Sequence, residues 1–411
     1  MLNFNSKAVK LVNECEMELV SQYKNIDENC FINSKKVLDA FHNHMISEND
    51  LKGTNGYGYN DIGRDKIDSV FADVFGAESG LVRNQFISGS HAITIVLQAL
   101  LRPFDTLLAI SGTPYDTLHE VIGIKENNSS LMSFKVNYKE IDLIENDFDY
   151  DKIRDELKSD IKVIHIQRSR GYSLRDSLCI DKVKKVIKFI KEINKDVIIF
   201  VDNCYCEFVE NESPIEVGAD ICVGSLIKNL GAGIATNGAY VVGRKDLVDL
   251  CADRLTVPGE GREVGPSDNS NRMFLLGLYF APYVVSSALK TAILTSKVLE
   301  KLNYTVSPKS DDKRADIVQL IYLKNEESLI KYASGIQSSG PIDSYVSPTP
   351  SDMPGYSHKI IMASPSFTQG SSIELSCDGP LKEPYVLFQQ GALSYDYGKI
   401  AVINAISNLI E

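Results

Sequence analysis

Between residues 65 and 245, short apolar runs alternate with segments of helical period, and no other feature restricts the fold as much. "KIDSVFADVFG" and "SHAITIVLQALL" have helical spacing, "TLLAIS" is a short apolar run, "YDTLHEVIG" is helical and "SLMSFKVNY" reads as extended. "IKVIHIQ", the amphipathic "KVKKVIKFIKEI", "VIIFVDN", "ADICVGS" and "GAYVVG" continue the series. Strands apolar on both sides need helices over both faces, so the pattern predicts an α/β fold with a mostly parallel sheet. In such sheets ligands bind at the carboxyl edge, where strand-ending polar residues collect.

The texture changes after an apolar helix over 273–290. "ADIVQLIYLK", "HKIIMASPSF" and "SSIELSCDG" are strand-like, while "ESLIKYASGIQ" and "YGKIAVINAISNLI" are helical. The chain thus divides into an N-terminal helical arm (1–56), a large mostly parallel-sheet domain (57–265), and a linking helix with a smaller C-terminal α+β domain (266–411). Two loops stand out: a mobile Gly-rich one over 259–267 and a proline-rich one over 344–357.

Composition excludes several functions. A net charge of −12 and a pI near 5.1 disfavour nucleic acid and anionic membrane surfaces. Pro282 and two serines interrupt the charge-free stretch 273–289, which reads as a buried helix or subunit interface rather than a span. The N-terminus carries acids among its apolar residues and reads as an amphipathic helix, not a secretory signal. Eight cysteines without a CxxC pair read as reduced thiols of a cytoplasmic protein. The acidic run 140–151 lacks the glycine and terminal glutamate of a calcium loop, so no metal is expected.

Three polar groups end strands in the alternating region. In "FISGSHAI", Ser88, Gly89, Ser90 and His91 open a helix whose N-terminus suits an anion, although such a turn is also an ordinary cap. His91 reads as packing over a bound ring, as assisting proton transfer, or as a structural first-turn histidine. Asp202 follows the apolar run of "VIIFVDN", as a helix cap, a salt-bridge partner or a partner for a protonated ring nitrogen. Lys228 ends the next strand in "CVGSLIKNLGAGIATNGAYVVG", with Ser225 one turn before it. An anion cradle, an acid and a lysine in this order are what pyridoxal 5'-phosphate requires: for its phosphate, its ring nitrogen and its aldehyde. Burial at a strand end is expected to lower the lysine's pKa and make it nucleophilic.

These motifs resemble the fold-type-I pyridoxal-phosphate enzymes of the cystathionine γ-synthase and methionine γ-lyase group. Closest are the methionine γ-lyase-like "aluminium resistance" proteins, which "IQRSRGYS" and "SSIELSCDGP" also match. The resemblance implies a PLP-dependent carbon–sulfur lyase acting on a sulfur-containing amino acid, with Lys228 and Tyr115 as catalytic residues. Aminotransfer, aldol cleavage or decarboxylation on the same fold, or a metal-resistance binding protein that retains it, are the alternatives. It further implies that Tyr115 in "GTPYDT" stacks on the ring, and that Tyr59 and Arg64 in "GYGYNDIGR" reach the phosphate of a neighbouring subunit in a homodimer or homotetramer. The wider group's C-terminal arginine motif is missing, for Arg314 is the only arginine beyond Arg272. Arg168 and Arg170 are therefore the candidates for gripping the substrate carboxylate.

Overall fold

The computed structural model describes residues 2, 4–158, 160–352 and 358–410. Part of the proline-rich loop, 353–357, lies outside them. The expected strands form one seven-stranded sheet from β1 (Ser79–Arg83), β2 (Thr106–Ala109), β3 (Asn137–Glu140), β4 (Val163–Gln167), β5 (Ile198–Asp202), β6 (Ile221–Ser225) and β7 (Ala239–Gly243), in the order β1-β7-β6-β5-β4-β2-β3. β2 to β6 are mutually parallel and β7 is antiparallel to both its neighbours. The strands alternate their side chains between two buried faces: Ile198 and Phe200 enter one apolar cluster, Ile199 and Val201 another. The helix Ile180–Ile193 covers one face with Val183, Val186, Ile187 and Ile190, leaving its lysines outward.

A second sheet is wholly antiparallel. It joins β8 (Thr305–Ser307), β9 (Val318–Tyr322), β10 (Ile360–Ala363), β11 (Ser376–Pro380) and β12 (Val386–Gln390) in the order β10-β11-β12-β9-β8. The helix Ser270–Lys301 leads from the first sheet to the second. It is the one helix among the described residues long and apolar enough to cross a membrane, and 67% of its most apolar window is buried within the protein.

Three details depart from the sequence reading. β3 starts only at Asn137, because Lys135 turns left-handed at φ 65° after a 3-10 turn at Met132–Phe134. The Gly-rich loop near 262 is pinned: Arg262 bonds Asp249 and Ser79 Oγ, each at 2.6 Å, and the Gly80 carbonyl at 2.6 Å. The first two helices are docked, with Ala8, Val12 and Cys15 fully buried and Tyr395 and Lys399 of the last helix bonding Glu16.

The turn after β6 depends on Gly231, whose Cβ, were there one, would stand 1.6 Å from the Leu226 carbonyl oxygen. Gly231→Ala is expected to cost about 3 kcal/mol by urea unfolding, the upper range for overpacking; a loss below 0.5 kcal/mol would mean the turn has room.

Candidate functional site

Because β4, β5 and β6 run parallel, with Gln167 beside Asp202 and Asp202 beside Val223, their carboxyl ends meet at one edge. Asp202 is 1% exposed. Its Oδ1 accepts the Cys204 N–H at 3.0 Å, while Oδ2 is buried with no hydrogen-bond partner. Burial raises its pKa, opposed by Lys228 and the Cys204 N–H.

Lys228 Nζ lies 3.9 Å from the centroid of the Tyr205 ring. The expectation of a lowered pKa does not hold. Burial does press it down, but the groups around it, Cys204, Tyr205, Asp202 and Glu207, outweigh that and raise it. The ammonium is the resting form, with the Asp202 carboxylate acting on it.

The helix Gly89–Leu100 starts against the same edge. Ser88 Oγ caps it by accepting the His91 N–H at 3.0 Å, leaving the first-turn N–H groups without intrahelical acceptors. A Cβ at Gly89 would lie 3.2 Å from Ser225 Cβ and 3.5 Å from Cys204 Sγ, so the glycine keeps open a cradle between helix and strand. Ser225 is fully buried, and Ser90 Oγ is 3.1 Å from Thr117 Oγ1. His91 Nδ1 accepts the Ile87 N–H at 3.2 Å, and burial lowers its pKa.

Tyr115 is held by its backbone N–H on Gln167 Oε1 (3.0 Å) and by Gly171, where a Cβ would fall 2.1 Å from the Tyr115 ring. Its hydroxyl is buried and unpartnered, and burial, then Asp202, push its pKa well up, so it stays protonated. It borders a cleft of ≈ 860 Å³ that Gln167, Arg170, Tyr172 and Arg175 also line. Two buried oxygens without partners and an open glycine cradle fit a ring with a basic nitrogen and an attached anion.

The two candidate arginines differ. Arg168 is committed within the protein: it bonds Asn203 Oδ1 at 2.6 Å, Glu210 Oε2 at 2.7 Å and the Leu178 carbonyl at 3.3 Å. Arg170 bonds Ser307 Oγ (3.1 Å) and Asp176 (3.3 Å), and its buried Nε has no partner. Arg64 bonds the carbonyls of Gly58 (2.8 Å) and Gly265 (3.0 Å) and the side chain of Asp65. Tyr59 is 57% exposed and stacks on Tyr57. Among the described residues no hydrogen bond, ion pair or ring contact ties either to the Lys228 cluster of the same chain.

Tyr205, Glu207, Tyr172 and Asp378 escape the sequence reading. The first two follow Asp202 in "VDNCYCEFVE", where an aromatic and an acid inside a buried run were the available signal. Asp378 of β11 accepts a short hydrogen bond from the Tyr172 hydroxyl, and burial pushes its pKa up to about 7 despite that bond.

A family model described as methionine gamma-lyase matches residues 8–410. The protein YnbB of Bacillus subtilis is 46% identical over 98% of this chain and 96% of its own. A solved structure from Clostridium novyi NT, named a carbon-sulfur lyase involved in aluminum resistance, superposes with a TM-score of 0.95 at 44% identity, covering 98% of this chain and 96% of that one. The pyridoxal-5'-phosphate-dependent protein YhfS of Escherichia coli has a TM-score of 0.62 at 16% identity over 93% and 96%, a likeness of fold alone.

Removing one partner of a buried ion pair strands the other charge. Arg168→Met is therefore expected to lower stability by about 3–5 kcal/mol in urea unfolding; a loss under 1 kcal/mol would mean that the Glu210 pair does not hold this edge.

Proposed function

The chain belongs to the methionine gamma-lyase family, and from that premise we propose that it is a pyridoxal-phosphate-dependent carbon–sulfur lyase acting on a sulfur-containing amino acid. The observation that carries the reading is the convergence of Lys228 and the half-partnered Asp202 on one sheet edge, beside the N-terminus of the helix Gly89–Leu100. The mostly parallel sheet followed by an antiparallel one, and the fold shared with YhfS, support the fold-type-I assignment. The division at 56 and 265, a cytoplasmic location and a homodimer or homotetramer are parts of the same proposal. Eight free cysteines support the location, and the exposed Tyr279, Phe280 and Tyr283 of one helix support assembly. In that assembly Tyr59 and Arg64 would serve a neighbouring subunit's site.

The cradle residues Gly89, Ser90 and Ser225 would hold the phosphate, and Asp202 Oδ2 would hold the proton on the ring nitrogen. Tyr115 would cover the ring, and Lys228 would bind the aldehyde. When bound, the cofactor supplies an electron-withdrawing ring that delocalises the electrons left at Cα after its proton is removed. Lys228 would give up its own proton on binding the aldehyde, and its Nζ, released as the neutral amine when the substrate takes its place, would be the base for the Cα proton, over the Tyr205 ring. The Tyr115 hydroxyl, protonated and without a protein partner, is the acid available to a departing sulfur. Arg170 at the cleft is the fork for the substrate carboxylate, since Arg168 is already spent.

Lys228→Ala is expected to abolish the visible absorbance of the cofactor-loaded protein; a band that persists assigns the lysine wrongly. The wild type is expected to release 2-oxo acid and ammonia from a sulfur-containing amino acid with no acceptor present. Product formed only when an amino acceptor is added would make it a transferase. Arg170→Met should lower kcat/KM about 100-fold, the worth of a charged hydrogen bond, and unchanged kinetics would move the carboxylate elsewhere.

A further inference from the structure

The loop after β5 carries a second buried acid that this chemistry leaves unused. Glu207 is 2% exposed, and its Oε1 accepts the Tyr240 hydroxyl at 2.9 Å. The pair fills the space that a side chain at Gly224 would need: a Cβ there would lie 2.2 Å from Glu207 Oε1 and 2.5 Å from the Tyr240 oxygen. β6 thus has glycine beside Ser225 in order to admit an acid. The Glu207 carbonyl accepts from Asn229 Nδ2 at 3.0 Å, and Asn229 is the residue after Lys228. In this corner two oxygens, Glu207 Oε2 and Asn229 Oδ1, are buried with no donor.

The charges there do not balance if every acid ionises. Asp202 and Glu207 both act on Lys228, and two carboxylates against one ammonium leave a net negative charge sealed from water. Such a charge costs several kcal/mol, and one proton removes it. Asp202 Oδ1 already accepts the charge-favouring backbone N–H of Cys204 at 3.0 Å. Glu207 has one phenol on one oxygen and nothing on the other. We infer that Glu207 is a positioning residue that keeps a proton on Oε2 while Asp202 is ionised, leaving Asp202 as the one anion acting on Lys228. That proton supplies a donor in the corner that holds the unpartnered Asn229 Oδ1.

Burial, with the Asp202 charge, pushes Glu207 up to about 8, against its own backbone N–H, the Tyr240 bond and the Lys228 charge. The other groups facing it are Asp202, Cys204, Cys206, Cys222 and Tyr240, and a small cavity beside it is also lined by Lys36, Glu212 and the Arg168–Glu210 ion pair. The three thiols and the phenol are pushed well above their ordinary values, chiefly by burial, and stay neutral through the range tested.

The test uses the full chain without cofactor, so its outcome is independent of which bond the enzyme cleaves. An acid of ordinary pKa 4.5 in the unfolded chain and about 8 in the fold favours folding at low pH, and that benefit is lost as pH rises through this window. Between pH 5.5 and 7.5, urea unfolding of the wild type should therefore gain about tenfold per pH unit in unfolding constant relative to Glu207→Gln. The infrared spectrum of the wild type minus that of Glu207→Gln should show a protonated-carboxyl band at pH 7, the contribution of Asp378, pushed up to about 7 by burial, being common to both and cancelling. Tyr240→Phe, which removes the donor but keeps the acid, should carry that band to higher pH. Parallel stability curves, no band at pH 7, or a band whose midpoint ignores Tyr240→Phe would each overturn the inference.

Discussion

The Lys228 ammonium, 3.9 Å over the Tyr205 ring and acted on by the buried Asp202, is the contact around which the rest is arranged. A charge in that position is unfavourable unless something faces it. A cation–π contact worth about 2 kcal/mol when desolvated offsets only part of the cost, and the Asp202 carboxylate also acts on it. Both sheets contribute to holding it. The parallel strands bring Asp202 and Lys228 to one edge, and the segment leading into β9 donates the Ile317 N–H to the Tyr205 carbonyl at 3.3 Å. Tyr205 itself is bent to φ 70°, a left-handed conformation a tyrosine avoids at a cost of about 1–2 kcal/mol. Local comfort is given up here to aim a ring at a lysine.

The features legible in the sequence were those set by near neighbours along the chain. Apolar alternation exposed the parallel sheet, and its strand-ending residues exposed Asp202 and Lys228, because a charge after a buried run has little reason to be there otherwise. Ser88 and Gly89 were visible as a cap. The pKa of Lys228 was misread because burial is local, whereas the opposing Asp202 arrives on another strand. The roles of Arg168 and Arg170 could not be separated either. Two residues apart, they are told apart by partners far along the chain: Glu210 and Asn203 for one, Ser307 for the other.

The second sheet does more than close the fold. Through Asp378 it grips Tyr172, which borders the cleft beside Tyr115, and through Ser307 it anchors Arg170. The segment 168–176 is thereby held between two sheets, with Arg170 buried and one of its nitrogens still unpaired. A guanidinium left this way in a buried wall is suited to a carboxylate brought by a substrate.

The central claim is that Lys228, and no other lysine, carries the cofactor. Borohydride reduction of the cofactor-loaded protein followed by peptide mass mapping tests it directly. The account predicts a stable adduct of pyridoxal-phosphate mass on the peptide containing Lys228. An adduct on a different lysine, or none from a fully loaded protein, would contradict it.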